Sequence, residues 1–514
     1  DVEAMINVLP GTGSGFKLML DPEKGQMYFH VKQGKVPMYP VLRAMGVSDK
    51  KLKEVWGDKI HAENYKPDPK AVFNMYQRLT GNKPPESEKE AAEALRAELE
   101  KARLDPQVMA RTLGKNYDRI TPETLLQSSE KLYKLYKGEI DPDDRDSLAY
   151  QSFHAPEDFF KERAERDAGN LSRALLWKVT NAGNLQPVRP GALSSQFSGV
   201  ILDTGLGQPL EEINPYEIYD NTHKVLRLGE GGIRSTDAVS DQAREVQPTH
   251  ANFLDPIRAP ESQKIGLDFR LAHNTFRGRD GRLYAKFRNA KSGATVFRSP
   301  EDTADSVIAF PGELEDPKKK VVRAFNKGKL EYVDRAKVDY EIPQPEDMYS
   351  ALSDALPLYS SMSGQRMLMG AKSQTQALPL RDPESPNVGG SFGAEGDVYK
   401  ELAKFGGAFR APQGGRVLSV KGDKVRVQYD NGEKETVELY NNFPFSRKTY
   451  ITSSPVVEEG DKFRKGQLLA RSNYAASDGR AAIGKNLRVA YMPYQGYGFE
   501  DGIVVSESAA KKLS

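Results

Sequence analysis

Between residues 14 and 31 apolar and polar positions alternate, with Phe16, Leu18 and Leu20 before DPEKG and Met27, Phe29 and Val31 after it. Period-two patterning on either side of a Pro/Gly turn predicts a β-hairpin. The period then lengthens. In VPMYPVLRAMG, Pro40 suits a helix first turn, Val41, Leu42 and Met45 make an apolar stripe, and Gly46 is a stop. From Glu86 to Leu104 the run is rich in helix formers, with Leu95 and Leu99 one turn apart, and predicts a largely solvated helix. TPETLLQSSEKLYKLYKG opens on Thr121, Pro122, Glu123 and Thr124 like a capping box, and PEDFFKERAERDAGNLSRALLWKV continues the helical pattern. Roughly the first 180 residues are therefore expected to be α-rich.

After Asn181, connections rich in Gly, Pro and Asn separate short β-like runs such as SGVILD and RVLSV. The stretch VLSVKGDKVRVQYDNGEKETVELY reads as a three-strand meander. Val425, Val427 and Tyr429 alternate with Arg426 and Gln428, and Asn431-Gly432 calls for a tight primed turn. A small barrel or sandwich is the natural home of such a meander, and the whole pattern predicts a multidomain α+β chain.

At ~100–200 residues per domain, 514 residues argue for three or four domains. The absence of Cys excludes disulfides, thiolate zinc sites, iron–sulfur clusters and cysteine nucleophiles. No stretch approaches the ~18 apolar residues of a membrane span, and the start lacks a signal pattern. Asp1 and the closing KKLS both read as internal positions. With 74 Lys and Arg against 72 Asp and Glu, the charge balance is not that of a dedicated nucleic-acid binder unless it averages over separate acidic and basic regions.

Few local features carry chemistry alone. The acidic run DPDDRD at 141–146 has neither the spacing nor the glycine of a calcium loop, which favours a capping or salt-bridged loop over a metal site. The six His residues are scattered, and His250 in PTH reads as a hydrogen-bonded structural residue. GEGGI at 229–233 lacks the Lys-Ser/Thr of a phosphate-binding loop. FRGRDGRLYAKFRNAK sets Arg277, Arg279, Arg282, Lys286, Arg288 and Lys291 among Phe276, Tyr284 and Phe287, either as a phosphate-contacting stripe or as a solvated hairpin face. Lys318, Lys319 and Lys320 are a weaker instance. Glu500 and Asp501 in GYGFEDGIVVSE follow a Gly-rich approach and precede an apolar run expected to be a short strand; on an extended segment they point to opposite sides.

Taken together, several segments resemble the β subunit of bacterial-type multisubunit RNA polymerase. GRAAIGKNLRVAYMPYQGYGFEDGIVVSE, from Gly479 to Glu507, resembles the β segment that approaches the active centre. QRMLMGAKSQTQALPL, from Gln365 to Leu380, resembles a second active-centre segment. LGEGGI followed by QPTHANFLDPIRAPESQKIGL resembles the fork-loop region and the segment after it. SQF at 195–197, NP at 214–215 and THK at 222–224 resemble the wall where rifamycins bind, and GKVPMYPVLRAMGVSDKKL resembles part of the lobe. The order of these matches agrees with β from about residue 10 to residue 509.

The resemblance implies a lobe-like α/β region at 1–175 and a protrusion and fork region at 176–400. It implies a β-rich barrel or sandwich module at 401–475 and an active-centre-facing segment at 476–514. It implies that Arg366, Glu500 and Asp501 serve catalysis, that Gln376, Glu261 and Lys372 meet RNA or substrate, and that Gly229, Gly231 and Gly232 form a fork loop. Magnesium would be held mainly by a β′-like partner, with Glu500 and Asp501 reaching it through water rather than as direct ligands. The implied partners are that subunit, further β parts, α-like or sigma-like subunits, DNA, RNA and nucleoside triphosphates, in a bacterial host cytoplasm or packaged in a virion.

The departures are specific. Between Lys224 and Gly229 the chain is about two residues shorter than the family pattern and lacks its Arg-Arg-Ile-Ser element, so weak or absent rifamycin binding is expected. Lys372, Ser373, Arg258 and Phe253 replace the usual residues. The β′ aspartate motif that chelates magnesium does not occur. The sequence thus reads as a divergent, partial β of the kind a bacteriophage encodes, split, processed or cut. The rival reading is a non-catalytic nucleic-acid-binding or virion structural protein of polymerase ancestry.

Overall fold

The computed structural model describes residues 2–513 except 10, 11, 187, 189, 190, 230, 231, 234, 260, 261 and 393–395. The fold is multidomain α+β, with several separate sheets, and divides into two compact units. The first comprises Asp1–Gly207 with Gly229–Ile233 and Arg279–Arg282; the second holds Gln208–Leu228, Arg234–Gly278 and Leu283–Ser514.

In the first unit, β1 (Val2–Ile6), β2 (Phe16–Asp21), β3 (Gln26–Val31) and β4 (Gly34–Pro37) form an antiparallel sheet in chain order. The expected hairpin is β2–β3. Asp21 Oδ1 accepts from the Glu23 and Lys24 amides, and Gly25 takes φ +63° to close the turn. Helices α1 (Met38–Ala44), α2 (Asp49–Asn64), α3 (Lys70–Thr80), α4 (Glu88–Lys101), α5 (Pro106–Leu113) and α6 (Pro122–Tyr136) complete one core around Phe16, Leu18, Phe29, Trp56 and Leu95. On α4, Leu95 and Leu99 are buried with Ala91 and Ala92 while the remaining faces stay wetter, as the pattern predicts.

Thr121 and Thr124 cap α6 reciprocally. Thr121 Oγ1 accepts from the Thr124 amide at 3.2 Å, and Thr124 Oγ1 accepts from the Thr121 amide at 3.4 Å. Thr121→Ala is expected to cost about 1 kcal/mol locally. Hydrogen exchange of the first-turn amides of α6 should then accelerate about fivefold; unchanged protection would refute the cap's contribution. The acidic run at 141–146 is a salt-bridged loop, in which Asp143 accepts from Lys131 Nζ at 2.6 Å and from the Tyr150 hydroxyl at 3.0 Å.

Helix α7 (Pro156–Ala182) buries none of its residues, and α8 (Ser194–Asp203) packs beside it. The run SGVILD, expected as β, lies in α8. A short apolar run does not distinguish a strand from one helix face by periodicity, and here the helical option wins.

In the second unit, α9 (Pro215–Thr222) leads into β5 (Lys224–Leu226), which pairs with β6 (Asp268–Arg270). Strands β7 (Phe276–Arg277), β8 (Leu283–Asn289), β9 (Thr295–Arg298), β10 (Val307–Ala309), β11 (Val321–Asn326), β12 (Lys329–Asp334) and β13 (Tyr340–Glu341) make a seven-stranded sheet in the order β12-β11-β10-β13-β8-β7, with β9 also on β8. The short α10 (Pro300–Thr303) joins β9 to β10. Beyond it lie α11 (Ala351–Asp354), α12 (Gly364–Thr375), the hairpin β14 (Ser391–Phe392) and β15 (Gly396–Asp397), and α13 (Val398–Phe405).

The C-terminal module pairs β16 (Phe409–Arg410), β24 (Leu468–Ser472) and β22 (Ser453–Pro455) in one sheet. A second sheet has β19 (Lys434–Glu438), β18 (Lys424–Tyr429), β17 (Gly415–Lys421) and β23 (Lys462–Phe463), and β20 (Phe443–Pro444) pairs with β21 (Tyr450–Ile451). The two larger sheets share a core of Val417, Val425, Val427, Val437 and Leu469. The meander is present, but the sheets are open, so the module is sandwich-like rather than a closed barrel. Its turn is also longer than the primed type. Tyr429 and Glu433 close a three-residue loop, and of Asn431 and Gly432 only Gly432 takes positive φ, at +90°.

Candidate active-centre face

Helix α12 is held by its buried side. Met367, Ala371 and Thr375 recur every four residues and are buried, and Gly370 lets Leu356 approach to where a Cβ would meet it at 2.9 Å. The C-terminal turn is clamped from α9, because Asn214 Nδ2 donates to the carbonyls of Gln374 and Ala377, both at 2.9 Å. Gln374 Nε2 donates to Leu352 O at 2.6 Å. With that side fixed, Arg366, Met369, Lys372 and Ser373 fall on the exposed face. Of the residues singled out from the sequence, Arg366 and Lys372 therefore lie on the exposed side of α12, and Gln376 is exposed at its C-cap.

Asp501 approaches the same helix, on a turn it shares with Glu500. Tyr494 and Tyr497 exchange two backbone hydrogen bonds at 3.0 Å around Gln495 (φ +51°) and Gly496 (φ +80°), a primed hairpin turn. A second turn follows, with the Gly502 amide on Phe499 O and Asp501 at φ +56°. The carboxylates thus sit on a polar turn, while Ile503–Val505, expected as a short strand, form none. Asp501 Oδ1 lies 3.9 Å from Arg366 Nη2. The side chains are 66% and 80% exposed, so both remain open to a ligand.

Of the glycines expected to form a fork loop, Gly229 and Gly232 belong to the first unit, where Gly232 N–H donates to Gly229 O and Gly229 N–H to Ile233 O. Gly229 is at φ +117°, and a Cβ there would meet Leu206 Cδ2 at 2.5 Å. Gly231 and Glu261 lie outside the described residues. Among the described residues no group of three or more His, Cys, Asp or Glu is placed to hold a metal ion. The exposed pair Glu500 and Asp501 fits contact with a hydrated magnesium ion bound elsewhere, since that ion commonly keeps several waters, but it is not a cage.

A buried ionic network behind α12 was not legible in the sequence. Asp220 Oδ2 accepts from Arg258 at 2.6 Å and from Arg270 at 2.7 Å, and Asp268 accepts from Arg270 and Lys224. Arg258, one of the departures from the family pattern, is thereby engaged within the unit. His250 is buried with its ring edge-on to Phe269 at 5.3 Å, as a structural residue would be.

Family models match three stretches of the chain. Residues 5–152 match RNA polymerase Rpb2, domain 2; residues 208–276 match RNA polymerase Rpb2, domain 3; and residues 410–512 match RNA polymerase Rpb2, domain 6. The chain is also 26% identical, over 98% of its length, to the DNA-directed RNA polymerase subunit beta of Gloeobacter violaceus. The chain belongs to the RNA polymerase β-subunit family. It is a divergent member, and it spans 47% of the length of that relative. Glu500 and Asp501 fall in the domain 6 match, Gly229 and Gly232 in the domain 3 match. Arg366, Lys372 and Gln376 lie between the two, so this β family member brings a domain 6 carboxylate to a helix outside all three stretches.

Proposed function

We propose that the chain forms one side of the active centre and nucleic-acid channel of a multisubunit DNA-dependent RNA polymerase. The observation that carries this is the convergence of Arg366 and Asp501, remote in sequence, on one solvent-open face. In the reaction the RNA 3′-oxygen attacks the α-phosphorus of a nucleoside triphosphate, a P–O bond forms, and pyrophosphate leaves as the bridging P–O bond breaks. Arg366 would neutralise the triphosphate, and a planar guanidinium suits phosphate oxygens. Glu500 and Asp501 would orient water on a magnesium ion held mainly by a β′-like partner; magnesium supplies charge neutralisation between attacking and leaving oxygens. Lys372 and Gln376 continue the face along which RNA would lie, with Glu261 assigned there by resemblance.

Partners are further supported by the surface beyond α13. Val489, Tyr491, Met492 and Ile503 are 73%, 98%, 71% and 87% exposed, an apolar stretch that suits burial by another polypeptide. We assign it to the β′-like or remaining β parts. A bacterial cytoplasm, with a phage-encoded complex transcribing there or carried in a virion, is the setting this reading implies.

Co-purification with candidate partners followed by primer extension tests the reading. Glu500→Ala with Asp501→Ala should abolish extension without dissociating the complex; extension at the parent rate would return the chain to the non-catalytic alternative. Weak rifamycin sensitivity is a second expectation. Lys224 is occupied by Asp268 at 3.2 Å, and His223 Nδ1 is 2.9 Å from Thr222 Oγ1 and 3.0 Å from Tyr219 O. Transcription by the assembled enzyme should persist at a drug dose that stops the host polymerase, and clear inhibition there would sink the expectation.

A further inference from the structure

The stripe around residues 276–298 resolves into one built surface on β8. Leu283, Ala285 and Phe287 point into the core, so Tyr284, Lys286 and Arg288 line the other side of the strand. Across β8, Tyr284 pairs with Phe276 on β7 and Lys286 with Phe297 on β9. Phe276 stacks near-parallel on Tyr284 at 5.9 Å and meets Phe297 edge-on at 5.5 Å. Phe276 and Phe297 are nevertheless 48% and 49% exposed. A sheet surface with two half-exposed Phe rings beside a Tyr leaves π-faces available to a ligand.

The same row of β8 runs into a basic cleft. About 13 Å along the strand from Tyr284, Arg288 lines a cavity of about 670 Å³ with Lys291, Lys320 and Arg335. Glu341, wholly buried, is taken by Arg288 and by the Leu314 amide. Glu315 and Asp334 are the remaining acids of the lining, and Lys319 is held by Glu313. Among the described residues neither Lys291 nor Lys320 is ion-paired, so the cleft keeps a cationic excess.

We propose that this face binds single-stranded nucleic acid, with unpaired bases on the Phe276–Tyr284–Phe297 platform and the backbone crossing Lys286 into the basic cleft. Stacking rings joined to a cationic groove are the two components of sequence-tolerant single-strand binding. A duplex has no free base faces to offer the platform. The surface involves none of Arg366, Glu500 or Asp501, so it stands whether or not the active-centre reading holds.

The test uses the full chain and fluorescein-labelled oligo(dT) and oligo(rU) of about twelve nucleotides, read by anisotropy between about 50 and 200 mM salt. Phe276→Ala with Phe297→Ala should weaken both ligands about tenfold or more without changing the salt slope. Phe297→Trp should retain binding, which separates loss of stacking from loss of folding. Lys291→Glu with Lys320→Glu should weaken binding and flatten the salt slope by about 1.4, at about 0.7 for each phosphate no longer neutralised. Preference for oligo(dT) or oligo(rU) identifies the strand type served. Binding unchanged in both double variants, or equal affinity for duplex of the same length, overturns the proposal.

Discussion

Replacing Arg366 with alanine is expected to lower primer extension by the assembled polymerase about 100- to 1,000-fold, the effect of removing one positioned group that stabilises transition-state charge. The argument depends on where the side chain sits. Arg366 is 66% exposed and its carboxylate neighbour Asp501 80%, and exposed pairs of this kind contribute only about 0–1 kcal/mol to folding. The variant should therefore fold and assemble as the parent does, leaving the loss to appear in the chemistry. Arg366→Lys keeps the charge but not the fork of donors, and should fall between the two. If the arginine meets the triphosphate already in the ground state, the loss appears partly as a raised KM for nucleotide; if only in the transition state, in kcat alone. Extension within about twofold of the parent at saturating and limiting nucleotide would remove Arg366 from the mechanism.

The second large effect is expected at Asp354, the last residue of α11. Its side chain is fully buried, neither carboxyl oxygen has a hydrogen-bond partner among the described residues, and its pKa is pushed up to about 10. Burial is the main cause, followed by the charges of Asp255, Glu346 and Asp347. Asp255 illustrates the contrast, since it accepts from the amides of Ile257, Arg258 and Ser350 and from the Ser353 hydroxyl. Below the ordinary value of 3.8 both folded and unfolded chains carry the Asp354 proton, and no penalty exists. Between 3.8 and about 10 only the folded chain holds it, so stability falls as pH rises. The decline is about 1.4 kcal/mol per pH unit, or about 5 kcal/mol from pH 4 to pH 8. Asp354→Asn should remove this component. Denaturant unfolding of variant and parent should show the Asn chain gaining steadily on the parent with pH, whatever constant cost the buried amide brings. Parallel stability curves would show that Asp354 titrates normally.

What was readable in the sequence was local. The hairpin around Gly25, the Thr121 cap and the α4 stripe of Leu95 and Leu99 each follow from neighbours within a few residues. SGVILD failed because six apolar-rich residues fit either period, and Asn431-Gly432 failed because the dipeptide also suits a three-residue loop with glycine alone left-handed. The face of α12 was half legible. The burial of Met367, Ala371 and Thr375 leaves Arg366 and Lys372 on the exposed side, whereas the approach of Asp501 depends on two successive turns at 494–502. The Asp220, Arg258 and Arg270 cluster joins a helix, a loop and a strand and has no sequence signal. Only the resemblance to β drew the remote segments together before the fold did.

The bare apolar stretch at 489–505 also bears on the life of the chain in a cell. An unpaired copy displays Tyr491, Met492 and Ile503 to solvent, the kind of surface that chaperones and proteases recognise. If the stretch is covered as proposed, supply of the chain would be tied to supply of the polypeptide that covers it. On the proposed reading, copies made in excess of that partner would be open to removal or aggregation, so the partner's level would set how much of the chain persists.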